Sequence, residues 1–225
     1  LWMRPTKPFE ELYDLQKDPY ELNNLAENRH HQATLARLRK LHLDWQRQTR
    51  DLGLMPEAEV HARSQGRTRY DLGQDEKAFP QEKLLAAAEI VNGKEGLKGC
   101  MKLIRDPDSA VRWWGATGLG VHGRGHAEAE QTLVQALTDP APVVRVAAAS
   151  ALRRLGNNER ALPTLLRMLS DPNPWVRHEA ALAIDEMGKD ATRARALLQN
   201  ALKDENDYVV RVVSHTLAVI HADKK

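Results

Sequence analysis

From residue 81 onward, apolar side chains recur at helical spacing, and the pattern itself recurs along the chain. Leu162, Leu165, Leu166 and Leu169 stand at i, i+3, i+4 and i+7, one stripe of an amphipathic helix; an Asp-Pro turn and a second stripe follow. Four segments share this plan: DPDSAVRWWGATGLG from Asp106, DPAPVVRVAAASALRRLG from Asp139, DPNPWVRHEAALAIDEMG from Asp171 and DENDYVVRVVSHTLAVI from Asp204. Aligned on their Val-Arg pairs, Arg112, Arg145, Arg177 and Arg211 are 33, 32 and 34 residues apart, the length of a helix pair. Each unit is predicted to be two helices, and EKLLAAAEIV supplies the second helix of a degenerate first unit.

Within the second helices the columns have distinct characters. Gly115, Ala148, Ala180 and Ser214 are all small, which lets helices approach toward the close end of the roughly 8–10 Å packing range. Val111, Val144, Val176 and Val210, with Leu119, Leu152, Ile184 and Ala218, form the expected core stripe. Gly156 and Gly188 stand where a left-handed C-cap residue is needed. The pattern L-x-D-P-x-x-x-V-R-x-x-A-A-x-A-L, over about residues 81–220, resembles HEAT repeats of the short kind described in bilin-lyase-like proteins. That resemblance implies an α-solenoid presenting a concave binding surface.

The front end follows a different pattern. Residues 8–15, PFEELYDL, alternate as a short strand would, and Asp18-Pro19-Tyr20-Glu21 reads as a capping box opening one helical turn. Leu35, Leu38, Leu41 or His42, and Trp45 then form one face of a helix from about His31 to Thr49. So small a set of elements cannot bury that face alone and must dock on something larger. The expected fold is therefore mainly α: a solenoid of helix pairs over 81–225, a small α+β piece over 1–52, and a connector over 53–80. The connector, with three Gly and two Pro, is either disordered or ordered by lying across a folded neighbour.

The stretch EELYDLQKDPYELNNLA, the Trp-ended helix and QTRDLGLMPE resemble the C-terminal end of type I sulfatases, over about residues 7–57. The matching positions are Glu11, Leu12, Tyr13, Asp14, Leu15, Asp18, Pro19, Glu21, Asn23, Asn24, Leu25 and Ala26. The resemblance implies a parent polypeptide with an N-terminal catalytic domain, a formylglycine nucleophile, a calcium ion and an extracytoplasmic or periplasmic location. None of the catalytic machinery maps onto this chain. The required C/S-x-P-x-R is missing: Cys100 is followed by Met-Lys-Leu-Ile, and Ser170-Asp171-Pro172-Asn173-Pro174 ends in Pro where Arg is needed. No catalytic residue, metal ligand or cofactor is therefore assigned within these 225 residues.

Charge narrows the partner classes. Residues 1–80 carry 13 basic and 13 acidic side chains and the remainder 20 and 18, so neither part is the basic stripe that nucleic-acid binding uses. The sequence holds no apolar run of membrane-spanning length. The single cysteine, Cys100, occupies the slot of Leu133, Leu165 and Leu198 six residues before the repeat aspartate, which marks it as a core residue.

Several motifs resemble active chemistry. GLGVHG, Gly118 to Gly123, spells a dinucleotide fingerprint, but it ends a solenoid helix where the fingerprint needs a strand before it. His122 and His126, with Glu128, are expected in a Gly-rich loop that cannot hold a metal rigidly. The Arg112, Arg145, Arg177 and Arg211 column faces the column Asp106, Asp139, Asp171 and Asp204, and a charge-paired ladder between units is the simpler account than anion binding. Trp113 and Trp114 stand at variable columns, matching Val146/Ala147, His178/Glu179 and Val212/Val213, where the core does not demand an aromatic residue. They are candidates either for packing on the N-terminal portion or for recognising a ligand or partner.

These residues lead to an expected accessory region of a sulfatase-like enzyme, whose solenoid shapes the approach of a sulfated carbohydrate. A stand-alone scaffold binding a protein partner on its concave face is the alternative. Bilin lyase activity rests on repeat type alone and leaves the front end unexplained.

Overall fold

The computed structural model describes residue 8, residues 10–93 and residues 96–222, and it divides into two compact units, 1–51 and 52–225. In the first, a 3-10 turn over Arg29–His31 leads into α1, Gln32–Thr49, which stops at Arg50 in the left-handed region. The predicted strand is not formed among the described residues of 8–15, and the capping-box turn is not helical. Glu21 has φ 53°, and the Asp18 carboxylate accepts from the Leu22 and Asn23 amides at 3.1 and 2.7 Å, closing a tight loop.

Asn24 replaces a partner strand. Its side chain accepts from the Leu12 and Ala26 amides at 2.9 and 3.0 Å and donates to the Glu10 carbonyl at 2.9 Å, while the Leu25 amide donates to the Leu12 carbonyl. The backbone groups that a sheet would have satisfied are thus met locally. Glu10 pairs with Arg39 of α1 and pins the loop to the helix. Leu35 is buried, whereas Leu15, Tyr20, Leu22, Leu38, Leu41 and Trp45 are exposed.

In the second unit Leu52–Leu54 forms a 3-10 turn, followed by α2 (Glu57–Ser64), α3 (Arg69–Gln74) and α4 (Gln81–Asn92). Four helix pairs then follow: α5 (Gly96–Leu103) with α6 (Ser109–His122), α7 (Ala127–Ala136) with α8 (Pro142–Arg154), and α9 (Asn158–Met168) with α10 (Pro174–Asp185). The last joins α11 (Arg195–Ala201), preceded by a 3-10 stretch Gly188–Ala194, to α12 (Asp207–Ala222). The second helices α4, α6, α8, α10 and α12 pack on one another in sequence. α4 fills the degenerate first position predicted for it.

The core follows the columns. Val111, Val144, Val176, Leu119, Leu152 and Ile184 are buried, as are Cys100, Leu133, Leu165 and Leu198 in their shared slot. Gly115 lies at a close approach of α6 to the end of α5: a Cβ there would stand 2.4 Å from the Ile104 amide nitrogen. Gly156 and Gly188 have φ of 91° and 55°, as C-caps require.

In the last unit the register differs from that set by the Val-Arg pair. Val209, Val213 and Leu217 are buried, while Val210 is only half-buried and Ser214 and Ala218 face outward. The turn fixes this register, because Asp204 accepts from the Asn206 amide as each repeat aspartate does from the amide two residues on. Counted from the aspartate, Val210 holds the arginine column and Arg211 lies one position beyond it.

Candidate binding surface

Two rungs of the expected ladder are closed. Arg112 grips Asp139 of the next unit through Nε and Nη2, both at 2.8 Å, and Arg177 grips Asp204 at 2.7 and 2.9 Å. The third nitrogen of each donates back to the carbonyls of its own Asp-Pro turn. One guanidinium therefore ties its own turn to the next, a use of Arg's rigid fork that Lys cannot copy. Arg145 makes the turn contacts, with Asp139 and Pro140, but does not reach Asp171; its Nε has no hydrogen-bond partner. Among the described residues the Asp106 carboxylate receives the Asp108 amide and no arginine. Arg211 lies over the Tyr208 ring, 5.7 Å from its centroid, outside the ladder altogether.

The segment predicted as a connector is folded onto the second helices. Leu54, Met55, Ala58, Val60, Leu72 and Phe79 are buried, which helical periodicity over so short a stretch does not reveal. Trp114 donates from its indole nitrogen to the Leu54 carbonyl at 2.9 Å, and Trp113 packs edge-on against Trp114 at 5.1 Å. Asn173, the N-cap of α10, donates from its side chain to the Ala58 carbonyl at 2.8 Å.

Arg63 anchors the other end of α2, with both forks on Asp108 at 3.0 Å and further bonds to Glu59, the Ala78 carbonyl and Ser109 Oγ. Burial works against both charges, yet the pair outweighs it: Arg63 is held above, and Asp108 below, its ordinary range. Residues 52–80 thus form a strap reaching α4, α6 and α10. Trp114→Phe is expected to lower stability by about 1 kcal/mol, because the ring still packs while its hydrogen bond is lost. A thermal midpoint equal to the parent's would show that the bond contributes nothing.

Beyond the strap, four side chains of α10 and α12 meet at the surface. Trp175 and Tyr208 rings are 5.7 Å apart, His178 lies 5.7 Å from Tyr208 and 6.0 Å from Trp175, and Arg211 covers Tyr208. Burial lowers the His178 pKa. Next to it, burial pushes the Glu179 carboxyl up to about 7, with Glu59 and Glu57 of α2 adding to the shift.

The apparent motifs are structural. GLGVHG is the C-terminal part of α6 and its cap, where a Cβ on Gly118 would stand 2.2 Å from Cys100 Sγ. Burial pushes the Cys100 thiol up to about 11, far from the thiolate a nucleophile needs. His122 lies on the last turn of α6, not in a loop, with Nε2 2.6 Å from the Val91 carbonyl; His126 is the exposed N-cap of α7. Among the described residues no group of three or more His, Cys, Asp or Glu could hold a metal ion, and no helix is long and apolar enough to cross a membrane.

The model for HEAT repeats matches residues 97–169 and 156–218, more than half of the chain. The chain belongs to the HEAT-repeat family. Stacked helix pairs of this kind in general serve as scaffolds that present an extended binding surface.

An ulvan-active sulfatase of Formosa agariphila is 44% identical to the HEAT-repeat chain over 59 residues, which are 26% of this chain and 10% of that protein. The chain thus spans about a tenth of the length of the curated relative it matches. Among solved structures, an engineered protein aligns over 73% of this chain and 79% of its own at 20% identity, TM-score 0.46. The CpcE–CpcF complex of phycocyanin lyase from Nostoc sp. PCC7120 covers 56% and 65% at 20% identity, TM-score 0.40. A designed armadillo repeat protein in complex with the peptide (KR)4 covers 72% and 80% at 21% identity, TM-score 0.44.

Proposed function

We propose that this chain is the C-terminal accessory region of a sulfatase-like enzyme, in which the HEAT solenoid shapes access of a sulfated carbohydrate to a catalytic domain encoded elsewhere in the same polypeptide. The observation that carries it is the 44% identity to an ulvan-active sulfatase. The sulfatase-like loop at residues 10–26 agrees with it. Asn24 and Asp18 act as the backbone clamps of that loop, and Leu15, Tyr20, Leu22, Leu41 and Trp45 leave an apolar surface for a catalytic domain to cover. In this reading the formylglycine and calcium belong to the catalytic domain, and none of the residues here takes part in sulfate-ester cleavage.

The test is deletion of residues 81–225 from the full-length polypeptide, with sulfate release measured on a sulfated polysaccharide and on a small aryl sulfate. Turnover of the polymer is expected to fall several-fold or to change in the products released, while the small substrate is turned over as before. Unchanged activity on both substrates overturns the accessory role, and no sulfatase activity in the full-length protein overturns the parent class.

A further inference from the structure

The second-helix face is not uniform. Over the first units it carries the chain's own strap, which is bonded to α6 through Trp114 and to the start of α10 through the Asn173–Ala58 bond. Four residues after the repeat aspartate, Ala110 and Val143 are small and buried, but the same column continues as Trp175 and Tyr208. Tyr208 is 54% exposed. The column thus takes an alanine or valine in the α6 and α8 units and an aromatic residue in the α10 and α12 units, Trp175 half-buried against the core and Tyr208 exposed. Three positions further along each helix, Trp113 and Val146 give way to His178 and Arg211.

We propose that Trp175, His178, Tyr208 and Arg211 form a subsite for a glycan chain bearing an anionic substituent, sulfate or carboxylate, on the part of the HEAT surface that the strap leaves open. The Trp175 and Tyr208 rings, inclined by 35° with centroids 5.7 Å apart, place aromatic groups for sugar rings to pack on beside the polar side chains of His178 and Arg211. Arg211 provides the charge: among the described residues it has no carboxylate partner, and its forked guanidinium matches a sulfate or carboxylate. The neighbouring acidic groups do not cancel it. Glu205 is held on Arg177 at 3.3 Å, Asp185 on His215 at 2.8 Å, and Glu179 is enclosed beside the strap, while Asp207 is exposed at the start of α12. The choice of a glycan over other anions rests on the function proposed above.

Titration of the whole chain with a sulfated oligosaccharide, its desulfated counterpart and a uronate oligosaccharide tests this. Either or both anionic sugars are expected to bind about tenfold or more tighter than the neutral one, and which does so identifies the substituent. Arg211→Ala is expected to abolish that preference. Tyr208→Ser, at an exposed position, is expected to weaken every sugar about tenfold or more with an unchanged thermal midpoint. The subsite is overturned if no oligosaccharide binds, if Tyr208→Ser leaves affinity intact, if Arg211→Ala keeps the preference, or if only peptides bind. A solenoid deletion that impairs polymer turnover while Tyr208→Ser does nothing removes the subsite and keeps the accessory role. Sugar binding with no effect of deletion does the reverse.

Discussion

Arg63→Ala is expected to destabilise the solenoid unit by about 3–5 kcal/mol, the cost of removing one partner from a buried charge network. Arg63 and Asp108 side chains are 15% and 17% exposed, and the guanidinium satisfies Glu59, Ser109 and a backbone carbonyl as well. Without it Asp108 and Glu59 are left as enclosed carboxylates, and α2 loses its tie to the N-terminus of α6. The Arg69–Glu57 pair in the same strap is a built-in control, at 61% and 43% exposure. Arg69→Ala should cost under about 1 kcal/mol, as exposed pairs do. Denaturant midpoints of the two variants, together with amide exchange over residues 57–64, decide the matter. Equal midpoints for Arg63→Ala and Arg69→Ala would mean that the buried network does not hold the strap.

Glu179→Gln is expected to stabilise the chain at pH 8 and to leave it unchanged near pH 4.5. Burial, with Glu59 and Glu57 nearby, raises the folded-state pKa from 4.5 to about 7, so between those values the folded chain holds a proton that the unfolded chain has released. Stability is therefore highest below the unfolded value and falls as pH rises through this window. The loss amounts to about 2–3 kcal/mol once Glu179 is fully ionised. Glutamine keeps the shape without the charge and should flatten the curve. Urea unfolding of parent and variant at pH 4.5, 6 and 8 is the measurement; parallel curves would show that Glu179 titrates as an ordinary surface carboxylate.

The solenoid was legible because its constraints are periodic. A buried slot filled by Leu133, Leu165 and Leu198 fixes the meaning of Cys100, and small residues at Gly115, Ala148 and Ala180 mark the close approach of helices. The last unit misleads for a physical reason: the repeat is timed by its aspartate turn, so Val209 goes inward and Arg211 becomes a surface residue, although the Val-Arg pair suggests otherwise. Aligning on Asp204 would have placed Trp175 and Tyr208 in one column and drawn attention to them. The front loop alternates like a strand, but alternation cannot say whether a partner strand exists; Asn24 supplies those hydrogen bonds instead. The strap had no such signal. Met55, Val60 and Phe79 are buried without a periodic pattern that marks them, and contacts such as Asn173 with Ala58 join residues far apart in sequence.

The strap also changes how the repeats should come apart. Stacked helix pairs ordinarily exchange energy only with the units beside them, so such arrays loosen from their ends, one unit after another. Here a single short segment is bonded to α6 through Trp114 and Asp108 and to α10 through Asn173, bypassing the unit between them. That bracing couples non-adjacent repeats into one cooperative block from α4 to α10, with the α11–α12 pair outside it as the region free to open first.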